Sequence, residues 1–167
     1  MNHAVESILR AMIAYDAGDA KRIHHLLKVH AFARLIGLGE QLDADTQFIL
    51  ETAAVVHDIG IHKAEEVYGC SRGPYQEELG PSEADALLTP LDLPRAVIDR
   101  VMYLVGHHHT YTDIDGMDHQ ILVEADFLVN IYEDHVPEEA AKHAYTCIFR
   151  TETGKQLYRG LYPALCQ

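Results

Sequence analysis

The 167-residue sequence has little of what marks secreted and membrane-spanning proteins. Its three cysteines, Cys70, Cys147 and Cys166, are odd in number and scattered, which argues against a disulfide framework and against a cysteine-based metal motif. No apolar run approaches the ~20 residues that span a bilayer. The N-terminus, MNHAVESILRAM, lacks the basic and apolar regions of a signal peptide. These absences predict a cytoplasmic protein.

Linkers and strand patterns are scarce as well. No repeat, low-complexity tract or Pro/Gly-rich linker divides the chain, and no alternation of apolar and polar residues is sustained between turns. With 48% hydrophobic and 23% charged residues, the chain can bury the core of one compact domain. We therefore predict a single all-α domain over 1–167, with a core at about 19–135, an N-terminal helix at 3–16 and C-terminal helices at 137–160 packed on it.

Positive charge is in short supply. The chain has 13 Lys and Arg residues against 26 Asp and Glu residues, which gives a formal net charge of −13. Such a surface repels nucleic-acid backbones and anionic membranes, so we expect neither polymeric nucleic acid nor a membrane as a partner. A small anionic substrate would have to be attracted by a metal ion and a few local cations. The oligomeric state is not indicated by the sequence.

Helical periodicity runs through most of the chain. Asp19 is suited to cap a long helix that ends near residues 37–39. Asp43 or Asp45 is suited to cap a second helix, which we expect to stop at Gly60.

The helical pattern is less regular in the segment that follows residue 62. We expect a short helix after residue 62, a loop at 69–80, and helices at 81–89 and 94–108. A second loop at 110–116 then leads to a helix at 117–135.

Four side chains that can bind a metal lie in apolar helical sequence. His57 and Asp58 end the stretch FILETAAVVHDIG, Asp126 lies within ILVEADFLVNIY, and His25 shares an inward-facing stripe with apolar residues. Buried carboxylates without partners are costly, and a divalent cation held by two imidazoles and two carboxylates would remove that cost. Such donors suit Fe, Mn, Co, Ni or Zn. Hydrogen-bonded core histidines and a local capping role for Asp58 are the alternatives.

The order H…HD…D, formed by His25, His57-Asp58 and Asp126, resembles the pattern of the HD-domain metal-dependent phosphohydrolases. The resemblance extends from about Arg22 to Asp134. It implies an all-helical fold, one or two divalent metal ions, and hydrolysis of a phosphate ester or anhydride in which Asp58 takes part. It does not assign the chain to a branch of the family.

Four further residues are candidates for phosphate binding and catalysis. Arg22 and Lys63 would neutralise charge on phosphoryl oxygens, unless they are solvated surface residues. His107 and His108 belong to a run of three histidines and resemble the second-metal ligands of dinuclear HD enzymes. They could instead bind phosphate and protonate the leaving oxygen, or lie at an exposed helix end.

Two departures from the family pattern concern the number of metals and the substrate. Dinuclear members carry a further histidine at a place that falls near Gly80-Pro81 here, so that Glu77, Glu78 or Glu83 would have to substitute for it. Ile61 stands where the mononuclear nucleotidase branch carries glutamate. We expect a metal-dependent hydrolase of a small phosphorylated molecule, with a nucleotide as the favoured substrate. The alternatives are a degenerate metal- or nucleotide-binding domain that acts as a sensor or interaction module, and a dinuclear iron oxygenase.

Overall fold

The protein is all-α in the computed structural model, which describes residues 2–166 and the side chains of 3–166. No strand occurs in this described range, so the predicted fold class is confirmed. The helices are, in chain order, α1 Asn2–Tyr15, α2 Ala20–Gly39, α3 Ala44–Val56, α4 Gly60–Tyr68, α5 Gly73–Leu88, α6 Arg95–Val105, α7 Gly116–Glu133, α8 Glu138–Cys147 and α9 Glu152–Leu161. Short 3₁₀ turns follow α5 at Thr89–Leu91 and α9 at Pro163–Cys166.

The first turns of α2 and α3 are capped by aspartates. The Asp19 carboxylate accepts a hydrogen bond from the backbone N–H of Arg22 at 3.1 Å, which satisfies one of the free donors at the start of α2. Asp43 accepts from the N–H groups of Asp45 and Thr46, both at 3.0 Å. Of the two predicted caps for α3, Asp43 is therefore the one used.

Helix α5 is longer than predicted. Residues Gly73–Leu88 form one helix, where a loop at 69–80 and a helix at 81–89 were expected. Pro74 lies in its first turn, where no N–H donor is needed. Pro81 lies inside the helix rather than ending it. The Gly80-Pro81 pair was therefore wrongly interpreted as a helix boundary.

Helices α4 and α5 approach each other closely because glycines meet at their contact. A Cβ added to Gly60 would lie 2.9 Å from the backbone nitrogen of Gly80. A Cβ added to Gly80 would lie 2.7 Å from Cγ1 of Val105 on α6. This contact brings the first half of α5 against the start of α4.

The centre of the fold is formed by α2, α3 and α7, which pack on one another, and α6 packs on α3. Val29, Leu50, Val101 and Leu122, one from each of these helices, are fully buried. Helix α1 covers α3, and α9 contacts α2 and α7. In the described range, no helix combines the length and the apolar character that crossing a bilayer requires.

Candidate metal centre

The four predicted metal ligands come together where the central helices meet. His25 is on α2 and Asp126 on α7, while His57 and Asp58 lie in the turn after α3, which ends at Val56 rather than at Gly60. Nε2 of His25 is 3.2 Å from Nε2 of His57 and 3.2 Å from Oδ1 of Asp126. Oδ2 of Asp58 lies 3.4 Å from the same His25 nitrogen. His25, His57 and Asp58 form a set that could hold one cation, and Oδ1 of Asp126 adjoins this set through its contacts with both imidazoles.

Hydrogen bonds behind the rings set the orientation of the two imidazoles. Nδ1 of His57 donates to the carbonyl oxygen of Ala54 at 2.9 Å, and Nδ1 of His25 donates to Oε2 of Glu133 at 2.8 Å. Because these partners only accept, a neutral ring carries its proton on Nδ1 and a lone pair on Nε2. Two such lone pairs, 3.2 Å apart, repel each other unless positive charge lies between them. A metal ion fits this arrangement.

The pKa values of His25, Asp58 and Asp126 also indicate that this group of side chains is stabilised by positive charge. Burial alone would lower the pKa of His25, but Asp126, Asp58 and Glu133 outweigh it and raise that pKa to about 9. Burial would raise the pKa values of Asp58 and Asp126, yet the neighbouring imidazoles hold both below their ordinary range. The carboxylates stay ionised, and their charge must be met by protons on the imidazoles or by a metal cation.

A second group of donors shares Asp58 with the first. Oδ1 of Asp58 lies 3.4 Å from Nε2 of His108, whereas Oδ2 faces His25 and His57. Nδ1 of His108 donates to the carbonyl oxygen of Val105 at 2.7 Å, so its lone pair also points at the carboxylate.

His109 completes this second group. Within the described residues, the Nε2 atoms of His108 and His109 are buried and have no hydrogen-bond partner. Asp58, His108 and His109 form a second set that could hold a metal ion. The sequence analysis missed His109, although it belongs to the same histidine run.

His107 points away from both groups of donors. Its Nδ1 donates to the carbonyl oxygen of Tyr103 at 2.7 Å, and its ring stacks on that of Tyr103 with 4.1 Å between the centroids. Of the two histidines predicted for a second metal or phosphate, only His108 faces Asp58. The reason is that α6 ends at Val105, so helical spacing does not apply to the run that follows.

The two predicted phosphate-binding cations differ in position. Arg22 lines the cavity above the metal ligands, where its guanidinium contacts Asp19 at 3.1 Å and Glu65 at 2.7 Å. Lys63 lies outside the cavity lining, and its ammonium pairs with Glu66 at 2.8 Å on the surface of α4. Lys21, which the sequence analysis did not single out, lines the cavity beside Arg22.

None of the three suggested glutamates takes the place of the histidine ligand that is missing near Gly80. Oε1 of Glu77 accepts from the backbone N–H of His109 at 3.0 Å and thereby holds the histidine run from behind. Glu78 accepts from the hydroxyl of Tyr68, and Glu83 from that of Tyr15. None of the three belongs to a set of metal donors found among the described residues. The second group is completed by His109 instead.

A cavity of about 400 Å³ opens onto these groups. Its lining includes His25, Asp58, Asp126 and His109. Glu133 also lines it, and this residue fixes the orientation of His25. Sequence spacing could have found Glu133, because it follows Asp126 by seven residues and so lies two turns along the same face of α7.

The comparisons with known proteins identify the fold. No protein-family model matches the chain, and no curated protein matches it in sequence. Among solved structures, the chain is similar to the crystal structure of a "predicted HD superfamily hydrolase" from an uncultured Thermotogales bacterium, with a TM-score of 0.63 and 22% identity. The match covers 99% of this chain and 87% of the other. The resemblance to the HD-domain family is thus confirmed at the level of the fold, and the residues that carry it surround one candidate metal centre.

Proposed function

We propose that this protein is a metal-dependent phosphohydrolase that cleaves a phosphate ester or anhydride in a small molecule. The observation that carries the proposal is the orientation of three buried or nearly buried imidazoles. His25, His57 and His108 all use Nδ1 to donate outward, which turns Nε2 toward Asp58 and Asp126. This arrangement supports a catalytic metal centre better than a packed core, because a core has no need of converging lone pairs.

The chain offers places for one or two ions. The first ion would be held by His25, His57, Asp126 and Oδ2 of Asp58. A second ion would be held by Oδ1 of Asp58 together with His108 and His109. When bound, a divalent transition metal such as Fe, Mn, Co, Ni or Zn makes bound water acidic and polarises a phosphoryl oxygen. The Asp58 carboxylate belongs to both groups of donors and would therefore fix their relative position.

Residues at the cavity mouth would bind the phosphoryl group. Lys21 and Arg22 are the cations among the lining residues that the structure describes, and both lie near the start of α2. Arg22 is already engaged by Asp19 and Glu65, so a phosphate would share its guanidinium with these carboxylates. Lys63 has no part in this proposal. With a net charge of −13, the protein favours a small phosphorylated molecule, including the nucleotide expected from the sequence, over polymeric nucleic acid.

Phosphate release after metal reconstitution tests the proposal. Protein purified without a metal-binding tag would be stripped with a chelator and reloaded separately with each candidate metal. Nucleotides and sugar phosphates would then be offered as substrates. We expect release that depends on the metal, is lost in Asp126→Asn, and persists in the control variant His107→Ala, whose ring faces Tyr103. Metal-loaded protein that releases no phosphate from any of these compounds would overturn the proposal.

A second candidate function is a metal- or nucleotide-binding domain without turnover. The observation that favours it is Gly80. Dinuclear HD enzymes carry a histidine near this position, whereas here the histidine is missing and Val105 fills the space. Calorimetric binding of a nucleotide to the metal-loaded protein, with no hydrolysis over prolonged incubation, would support the sensor over the enzyme.

A further inference from the structure

Gln76 carries an unpaired acceptor in the wall of the metal-site cavity. The residue lies on α5 and is 6% exposed. Its Nε2 donates to the backbone carbonyl oxygen of Ser71 at 2.8 Å. Because that carbonyl can only accept, this contact identifies the amide nitrogen and therefore also Oε1. Among the residues that the structure describes, Oε1 is buried and has no hydrogen-bond donor. Such an acceptor is costly unless a water molecule or a bound ligand provides a donor.

The first turn of α5 places this acceptor beside the second group of metal donors. A Cβ added to Gly73 would lie 3.1 Å from Cδ2 of His109. Glu77, which follows Gln76, accepts from the backbone N–H of His109 at 3.0 Å. Gln76 and His109 both line the cavity. A molecule whose phosphate bound at the metal centre would therefore occupy the same cavity that Gln76 lines.

The rest of the cavity favours a hydroxyl-rich organic part. Ile61 is the apolar member of the lining residues that the structure describes, and these residues include no Phe, Tyr or Trp. Proteins commonly hold nucleobases by stacking them on such aromatic rings. Ser71, Asn130 and Asp134 instead add hydrogen-bonding groups to the lining. Among the described lining residues, the flat groups on which a nucleobase could stack are the imidazoles of His25 and His109 and the guanidinium of Arg22, and acceptors for hydroxyl groups are more numerous.

We propose that Oε1 of Gln76 accepts a hydrogen bond from a substrate hydroxyl, and that the substrate is a polyhydroxylated phosphate ester of the sugar or polyol phosphate class. This inference rests on the proposed function, because the metal centre is the place where the phosphoryl group binds. A site that hydrogen-bonds a substrate hydroxyl rejects an analogue that lacks it, since the buried acceptor is then left unpaired. Gln76 is thus a residue that determines specificity.

The test compares two esters of equal chain length, sorbitol 6-phosphate and n-hexyl phosphate. Both are offered to the manganese-loaded protein, and kcat/KM and the calorimetric Kd are measured for each. We expect the wild-type protein to favour the hydroxylated ester by ~10–100-fold. In Gln76→Met, which keeps the length of the side chain and removes both polar atoms, this ratio should fall by about the same factor. A ratio of the two esters does not depend on the fraction of protein that is folded.

Two further variants separate hydroxyl recognition from structural roles. Gln76→Glu cannot donate to Ser71 but keeps an acceptor oxygen, so we expect the preference for sorbitol 6-phosphate to persist even if both esters bind more weakly. Gln47→Met is the matched control, because Gln47 is also a buried glutamine with an unpaired Oε1 and lies outside the cavity lining. It should leave the ratio unchanged.

The outcomes distinguish this inference from the proposed function. Binding that favours the hydroxylated ester and depends on Gln76, without any turnover, would uphold the inference and overturn hydrolysis. Turnover of both esters at equal kcat/KM, or a ratio that Gln76→Met does not alter, would overturn the inference and leave hydrolysis in place. If Gln76→Met and Gln76→Glu lost the preference equally, the effect would be due to the hydrogen bond with Ser71, and the inference would be overturned as well. Failure to bind either ester would overturn both.

Discussion

Removing the carboxylate behind His25 should weaken metal binding in a graded way. Oε2 of Glu133 accepts from Nδ1 of His25 at 2.8 Å, and the other carboxylate oxygen pairs with the ammonium of Lys28. The side chain of Glu133 is only 11% exposed, so solvent screens its charge weakly. Burial would raise the pKa of Glu133, but Lys28 and His25 outweigh it and lower that pKa. The carboxylate is ionised at neutral pH and makes the His25 imidazole a stronger donor to a cation.

The size of the effect follows from what each substitution leaves behind. Glu133→Gln keeps an oxygen that can accept from Nδ1 of His25 but removes the charge, and a charge-assisted hydrogen bond is roughly twice as strong as a neutral one. We expect the Kd for the metal to rise about 10-fold, or about 1.4 kcal/mol. Glu133→Ala also removes the acceptor, which frees the ring to rotate. Its Kd should rise about 100-fold.

Competition with a fluorescent chelator measures these constants directly. Glu138→Gln is the matched control, because it makes the same charge change on α8 and breaks an exposed pair with Lys142. Its metal affinity should equal that of the wild type. Equal affinity of the wild type, Glu133→Gln and Glu133→Ala would refute the reasoning, since the orientation of His25 would then not depend on Glu133.

Three further predictions concern the second donor group, the close helix contact and stability in acid. His108→Ala should lower the number of metal ions bound per chain, by elemental analysis, whereas His107→Ala should not; an equal loss in both would contradict the assignment. Gly80→Ala places a Cβ 2.7 Å from Cγ1 of Val105, so denaturant titration should show a loss of about 1–3 kcal/mol in the free energy of unfolding; an unchanged midpoint would contradict this packing. Burial would raise the pKa of Glu51, but hydrogen bonds from three neighbours lower it to about 2 from 4.5. Its contribution to stability is therefore complete above pH 4.5 and is lost as the pH falls toward 2, and Glu51→Gln should flatten the stability profile in that window.

The candidate ligands of the first donor group could be located from the sequence because they lie in, or directly after, helical and apolar stretches. His25 follows an inward stripe on α2, and Asp126 is surrounded by apolar residues on α7. Both positions are governed by local periodicity, which sequence shows directly. The caps Asp19 and Asp43 were predictable for a similar reason, since the hydrogen bonds that define them join residues two or three apart.

Features that depend on contacts between helices could not be read in the same way. Gly80 and Pro81 look like a helix boundary, yet the small Gly80 is what allows α5 to pass close to Gly60. His109 reaches Asp58 from a turn beyond the end of α6, where no periodic pattern gives a direction. Gln76 lay in a segment predicted to be a loop, so its burial could not be expected.

The metal content of the wild-type protein and of Asp58→Ala tests the central claim most directly. Asp58 faces both donor groups, so its loss should weaken every ion that the site holds. Both proteins would be purified without a metal-binding tag and analysed for transition metals, with circular dichroism to show that both are folded. The account predicts at least one transition-metal ion per wild-type chain and a large loss in Asp58→Ala. A folded wild-type protein that binds no transition metal even after reconstitution, or a folded variant that keeps the full metal content, would contradict it.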